Sequence, residues 1–549
     1  MRLLVNCDDL CLRSLVLCLV TTGLTLSGCS DDESSPAADP GDTSSDVSDA
    51  GGDSDADPET DAAVDAAGDT ADGSDADLDA AVDVTSSDVD ATTDAVGTDV
   101  EEDTSGPTCS FPSPAYGDDA ASVALRTDAS ACGQTAFGWI DTGGLGELQE
   151  MGDRVDFPAA LLSAVLESEN IVLPQPPTYD VGVQVYQYGT QDKGVAASAT
   201  SLIAVPTNLP DDAAPARVVL LLHGTAGFND ACAPSAETET RALASLFASL
   251  GYVTVAPDYL GLGSLVEREP QLHSYLVGQP TAIASLDAIR AAQAVVAEMG
   301  IDNCVSPEVL VVGGSQGGHA ALWVDRLVDH YAAELDVLGV VATVPPADLI
   351  AQATAALLEV RQSTANTAVM FSTAAYWYGY ADRLNEVLRE PWDTQLPEAL
   401  ISSCDFDDAE LPDTLEGAFT ESILTAAQDG ELASVNPWGC MFAENGLVTA
   451  SVARIGEDSE SFGILYVTAG DDRLVDTPIE RGSFTTLCES GMPLQYLECA
   501  GASHTQGTLW ALPEILAFLR ARENREPFVG AVDCAATEAV RCQGTPADE

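Results

Sequence analysis

The sequence predicts an α/β fold: a mostly parallel sheet covered by helices on both faces, with a helical cap inserted late in the chain. Three observations carry this expectation. Strand-like runs alternate with helix-like stretches from Val181 onward. Most of these runs are apolar at nearly every position, the mark of strands buried on both faces and hence of a parallel sheet. Between Ile350 and Ser461 the alternation stops and the sequence turns helical and aromatic, as in A-A-Y-W-Y-G-Y at Ala374 to Tyr380.

Two segments precede the sheet-forming region. Residues 1–28 carry Arg2 and Arg13 around the start of an apolar run from Leu15 to Leu26. That run is short for a bilayer span and has the length of a secretory signal's core. Asp8 and Asp9 depart from the basic character of such a leader and leave open a start further along the chain. The run ends in L-S-G-C at Leu26 to Cys29, which resembles the bacterial lipobox. That resemblance implies cleavage before Cys29, lipidation of its thiol and anchoring to the cell envelope. Ser30 in the next position implies, by the same resemblance, the outer membrane, with the cell surface left open. From Ser30 to Pro107 the chain holds 26 acidic residues, no Lys or Arg and no Trp, Tyr or Phe. So little apolar surface beside one-signed charge cannot offset the entropy of ordering, so residues 29–107 are expected to form a disordered tether. As a flexible coil it would span about 50 Å. D-A-D-L-D at Asp75 to Asp79 lacks the glycine and the distal acid of an EF-hand loop.

Residues 108–549 remain for the fold. They hold 61 of the 89 acidic residues and 18 of the 20 basic ones, and Lys193 is the sole lysine of the chain. A surface this acidic argues against nucleic acid and anionic membranes as partners. The N-terminal lipid is therefore the one expected membrane contact, and a monomer the expected state. Ten of the 14 cysteines lie in this region, an even number that suggests up to five disulfides in an exported chain. Sequence neighbours would pair as Cys109–Cys132, Cys232–Cys304, Cys404–Cys440, Cys488–Cys499 and Cys534–Cys542, although spacing alone leaves the connectivity open. No C-x-x-C or H-E-x-x-H occurs, and no metal site is expected.

The elements follow in order. V-G-V-Q-V-Y-Q-Y at Val181 to Tyr188 alternates as a strand, and G-V-A-A-S-A-T-S-L-I-A-V-P from Gly194 follows after a short turn, as in a hairpin. Buried runs then begin at Arg217, Tyr252, Glu308, Val337, Phe462 and Leu494, with helical patterns such as Ala282 to Met299 and His319 to Ala333 between them.

One of these strands runs into G-G-S-Q-G-G-H at Gly313 to His319. A serine inside G-x-S-x-G between a strand and a helix is the pattern of a nucleophile elbow, where a strained turn pushes the hydroxyl out of the top of the sheet. Alone, the same string also describes an ordinary glycine-rich turn. A serine hydroxyl needs a base to take its proton, and the base needs an acid to orient it. Of five histidines, His504 follows the last strand and precedes the last helix, where a loop returns over Ser315. His319, on the helix after Ser315, reads as a packing residue. The acid belongs after the preceding strand, where A-G-D-D-R-L-V offers Asp471 and Asp472; Asp472 has the D-x-x-V spacing to Val475 and is favoured. Two backbone N–H groups should face the developing oxyanion: that of Gln316, directly after the serine, and one from H-G-T-A-G at His223 to Gly227, taken as Thr225.

The order Ser315, Asp472, His504 is that of the α/β-hydrolases. Residues 179–522 resemble the secretory lipase branch of that superfamily, through H-G-T-A-G-F-N-D-A-C-A-P-S from His223, P-D-Y-L-G-L-G from Pro257, H-S-Y-L-V-G from His273, S-L-D-A-I-R-A from Ser285 and the serine motif itself. The resemblance implies an exported serine esterase or lipase with a helical lid, an ester or lipid substrate and no cofactor. One departure stands out: Ala469 occupies a position where glycine is expected, which keeps the choice of acid open. Two other readings stand beside this one. A serine peptidase of the same fold is one, although tyrosine often follows the serine in prolyl-type peptidases and Gln316 resembles lipases. A non-catalytic adhesion or scaffold module on a stalk is the other.

Overall fold

Ten strands form a single sheet in the computed structural model. It describes residues 109–547 apart from 119, 121–122, 124–131, 136, 169–172, 174, 405–410 and 457–458. The expected leader, Cys29 and the acidic tether lie outside the described residues. The strands are β1 (Leu148–Met151), β2 (Val155–Phe157), β3 (Val181–Asp192), β4 (Val195–Pro206), β5 (Ala216–Leu222), β6 (Val253–Pro257), β7 (Val305–Gly314), β8 (Asp336–Thr343), β9 (Ile464–Ala469) and β10 (Leu494–Cys499). Their order is β1-β3-β4-β6-β5-β7-β8-β9-β10, with β2 also on β3. The six strands from β6 to β10 in that order are parallel, and β1 to β4 add an antiparallel flank. The class is the mostly parallel α/β sheet that the apolar runs predict. β1 and β2 escape sequence reading because strands of three or four half-exposed residues show too little alternation.

The β3–β4 hairpin closes through Lys193 and Gly194, both at positive φ (50° and 74°). Two-residue hairpin turns of this hand match the twist of the strands they join. In β5, Val218, Leu220 and Leu222 face one core while Val219 and Leu221 face another. Side chains alternate across a strand, so an unbroken apolar run means that both faces are covered. Helices α1 (Ala159–Ser168), α2 (Thr238–Ser249), α3 (Gly278–Glu298) and α4 (Gln316–Tyr331) come before β8 or join the strands up to it. Of these, α3 and α4 cover the first face and α2 the second. Among the described residues, six α-helices then lie between β8 and β9: α5 (Leu349–Leu358), α6 (Ser363–Tyr378), α7 (Trp392–Ser402), α8 (Leu415–Ala418), α9 (Glu421–Gln428) and α10 (Trp438–Asn445). They build a third apolar cluster of their own around Phe371, Phe419, Trp438 and Phe442. α11 (Thr477–Glu489), α12 (His504–Trp510) and α13 (Leu512–Glu523) complete the helices among the described residues.

Five disulfides form among the described residues, and every pairing of sequence neighbours is wrong. The bonds are Cys109–Cys304, Cys132–Cys440, Cys232–Cys404, Cys488–Cys534 and Cys499–Cys542. Cys232 follows the C-terminal end of β5, whereas Cys304 precedes the start of the parallel strand β7, so the two lie at opposite ends of the sheet. Cys488 lies before β10 and Cys499 is its last residue, and the six residues of the strand span about 20 Å. The C-terminal segment instead runs along β10, bonding from Ala531 N to Leu494 O (2.8 Å) and from Val540 N to Glu498 O (2.9 Å). It meets Cys488 near the strand's start and Cys499 at its end, and it covers an edge that would otherwise offer unpaired backbone groups.

Candidate active site

Ser315 joins β7 directly to α4 with φ 57° and ψ −120°, a conformation that strains any side-chain-bearing residue. Its neighbours explain the glycines. A Cβ on Gly313 would lie 2.0 Å from the Gly317 carbonyl oxygen, and one on Gly317 would lie 2.0 Å from that of Leu222. Backbone therefore touches backbone on both sides of the elbow, and the hydroxyl is held at the C-terminal edge of the parallel strands, where α/β sheets bind their ligands.

The residues that sequence reading singled out arrive at this edge from separate strands. His504, at the first turn of α12, has Nε2 2.8 Å from Ser315 Oγ and Nδ1 2.7 Å from Asp472 Oδ2. The capping box of α12 fixes the ring's backbone, with Ser503 and Gln506 bonding reciprocally. Asp472 follows β9, and its side chain is only 2 % exposed against 17 % for His504. Its second oxygen, Oδ1, accepts from Leu474 N and Val475 N, both at 2.9 Å, so the D-x-x-V spacing is a backbone turn closed on the carboxylate. Asp471 is exposed. Ala469, the unexpected residue, lies opposite Gly507 of α12, where a Cβ would come within 2.7 Å of the Ala469 methyl. The methyl on β9 is matched by a missing one on the helix.

Gln316 is the first residue of α4, where backbone N–H groups have no partner within the helix and the helix dipole favours negative charge. The loop after β5 lies against the elbow: a Cβ on Gly224 would be 3.5 Å from Gly314 O and 3.7 Å from Ser315 Cβ. Thr225 is the next residue in this loop. Its Oγ1 bonds Tyr275 Oη at 3.2 Å, and Asn366 Nδ2 of α6 donates to the same phenol at 3.2 Å.

Sequence reading assigned no role to Tyr275, Asn366 or His273. His273 Nδ1 donates to Leu260 O (2.7 Å), leaving Nε2 to accept from Gln316 Nε2 (2.7 Å). Burial pushes His273, His223 and His319 down to about 4, so all three are neutral and bonded to backbone carbonyls. His319 is the packing residue expected of it, tied by Nε2 to Asn445 O. H-S-Y-L-V-G carried the signal for His273 and Tyr275, but no local pattern says what they face.

A cavity of about 50 Å³ lies over Ser315, lined by Tyr275, Leu276, Pro346, Leu474 and Val475 from around the sheet edge and by Leu349, Ala353, Asn366, Met370 and Phe442 from the inserted helices. A second cavity, bordered by Asp325, Asp336, Arg454 and Arg525, contains none of these residues.

A parallel sheet with a serine elbow after β7, an acid after β9 and a histidine after β10 defines an α/β-hydrolase. The profile of the secretory lipase family matches residues 231–531, more than half of the chain, and the protein belongs to that family. It is an α/β-hydrolase of the lipase and esterase type. Among solved structures, the fold is similar to the rice cell wall degrading esterase LipA from Xanthomonas oryzae, at 20 % identity and TM-score 0.56 over 69 % of this chain and 98 % of that one. A putative hydrolase from Legionella pneumophila is similar at 18 % identity and TM-score 0.55, again over 69 % and 98 %. Candida antarctica lipase A in its closed state is similar at 16 % identity and TM-score 0.52, over 74 % and 88 %. No curated protein sequence matches the chain.

Proposed function

We propose that the protein is an exported serine esterase that cleaves carboxylic esters through an acyl-enzyme on Ser315. The observation that carries this is the continuous chain from Asp472 through His504 to Ser315, at 2.7 and 2.8 Å. In the first half-reaction His504 Nε2 takes the Ser315 proton as Oγ attacks the carbonyl carbon. Asp472 accepts the Nδ1 hydrogen and stabilises the imidazolium that results. The carbonyl oxygen gains its charge against the N–H groups of Gln316 and Thr225. Collapse breaks the ester C–O bond, and His504 returns the proton to the departing alkoxide. Water then repeats the sequence on the acyl-enzyme, with His504 again taking and giving the proton. Export is supported by the family and by the five disulfides, which persist in oxidising compartments. A lipid on Cys29, the tether over residues 29–107 and a cap over about 350–461 complete the proposed organisation.

The test is Ser315→Ala, assayed on p-nitrophenyl butyrate beside labelling of the wild type with a fluorophosphonate. Turnover should fall by several orders of magnitude with the fold retained, and the adduct should map to Ser315. A variant keeping a tenth of normal turnover would remove Ser315 from the role.

A further inference from the structure

The inserted helices roof the cavity over Ser315, and the structure ties that roof down on several sides. Beside the loop that carries Thr225, Cys232 is bonded to Cys404 at the end of α7, and Asn229 Nδ2 bonds the carbonyls of Leu400 and Ser403 at 3.0 and 3.1 Å. Elsewhere on the roof, Cys132 is bonded to Cys440 in α10. The end of α10 is nailed to the sheet-covering helices by Asn445, whose Oδ1 accepts from Gly278 N (3.0 Å) and whose carbonyl accepts from His319 Nε2 and Trp323 Nε1. Near the acid loop, Arg361 pairs with Asp476 at 2.6 Å and Gln352 with Glu480 at 2.8 Å. Hydrogen bonds open on their own, but the two disulfides, with Cα atoms 5.4 and 5.6 Å apart, stay within the narrow range that a disulfide permits. Together the two staples and these hydrogen bonds oppose a swing of the roof away from Ser315.

The space beneath it is small. At about 10–15 Å³ for each water-sized group, a cavity of about 50 Å³ takes roughly four. That accommodates an acetyl to butyryl group, and a longer chain has to reach out through the open side of the cavity. Its walls at Leu349, Ala353, Met370, Phe442, Leu276 and Val475 are apolar, fitting an alkyl tail and not a charged one.

We propose that this is a preformed site for small, water-soluble esters with acyl groups of about two to four carbons, taken one molecule at a time from solution and not from a lipid surface. The proposal rests on the esterase reading and narrows it. With the full-length oxidised protein, kcat/KM should be measured on p-nitrophenyl acetate, butyrate, octanoate and palmitate, and the rate on tributyrin followed across its solubility limit. The expected result is a maximum at acetate or butyrate, a fall of about 100-fold by octanoate, and a tributyrin rate that rises smoothly through the limit. A maximum at octanoate or beyond, or a several-fold jump at the limit, overturns the fixed roof; fluorophosphonate labelling of Ser315 would then show the esterase reading intact. Failure to cleave any of these esters, with Ser315 unlabelled, overturns both. Removing the staple in Cys132→Ser/Cys440→Ser should raise the octanoate-to-butyrate ratio about tenfold. Met370→Ala, which spares the disulfides, should move the maximum to a longer chain, and an unchanged maximum counts against the proposal.

Discussion

Replacing Asp472 by asparagine isolates what the acid does, because the structure dictates how the amide must sit. Oδ1 of Asp472 accepts two backbone hydrogens, from Leu474 and Val475, both at 2.9 Å. An NH₂ group there would face two donors, so the asparagine oxygen takes that position and its NH₂ turns toward His504. The imidazole then has to accept at Nδ1, which puts its hydrogen on Nε2, 2.8 Å from the Ser315 hydroxyl. A protonated Nε2 cannot receive the serine proton. The geometry survives and the tautomer is wrong, a change that costs about 10⁴ in kcat where the same constellation occurs, or about 5.5 kcal/mol of barrier. Asp471→Asn, on an exposed side chain, should change kcat by less than twofold. The assay is steady-state hydrolysis of p-nitrophenyl butyrate, with melting temperature as the control for folding. Asp472→Asn within tenfold of wild type, or a larger loss in Asp471→Asn, would refute the assignment of the acid.

Three further outcomes are expected. Gly507→Ala should destabilise the fold by about 1–3 kcal/mol and slow turnover, because the new methyl meets Ala469 at 2.7 Å three residues from His504; adding Ala469→Gly should recover more than half of the melting-temperature loss. Glu480 is buried against Tyr466 Oη (2.6 Å) and Gln352 Nε2 (2.8 Å), and burial pushes its carboxyl up to about 7. A folded-state pKa raised above the unfolded one gives stability that is present in acid and lost as pH rises through about 7, so the melting temperature of Glu480→Gln should fall less steeply between pH 5 and 8 than that of wild type. Mass spectrometry of the mature N-terminus should find a diacylglyceryl group on Cys29, and normal export and cutting of Cys29→Ala with a free N-terminus beyond that position would remove the anchor.

The sequence by itself carried the order of the buried strands, the serine turn and the order in which serine, acid and histidine follow their strands. Each is a local pattern: apolar runs count strands, glycines at fixed offsets mark an elbow, and position after a strand names the edge where a loop emerges. The D-x-x-V spacing was legible for the same reason, since the hydrogen bonds behind it span three residues. What only the tertiary structure decided involves groups far apart in the chain. Cys132 and Cys440 are separated by 308 residues, and nothing near either names the other. His273 reaches the Gln316 side chain, and Asn366 reaches Tyr275, through helices packed at angles that no periodicity records. Ala469 shows the difference most directly. In the sequence it is a lapse from an expected glycine; in the fold it faces Gly507, because a strand and a helix that pack this closely have room for one methyl between them and not two.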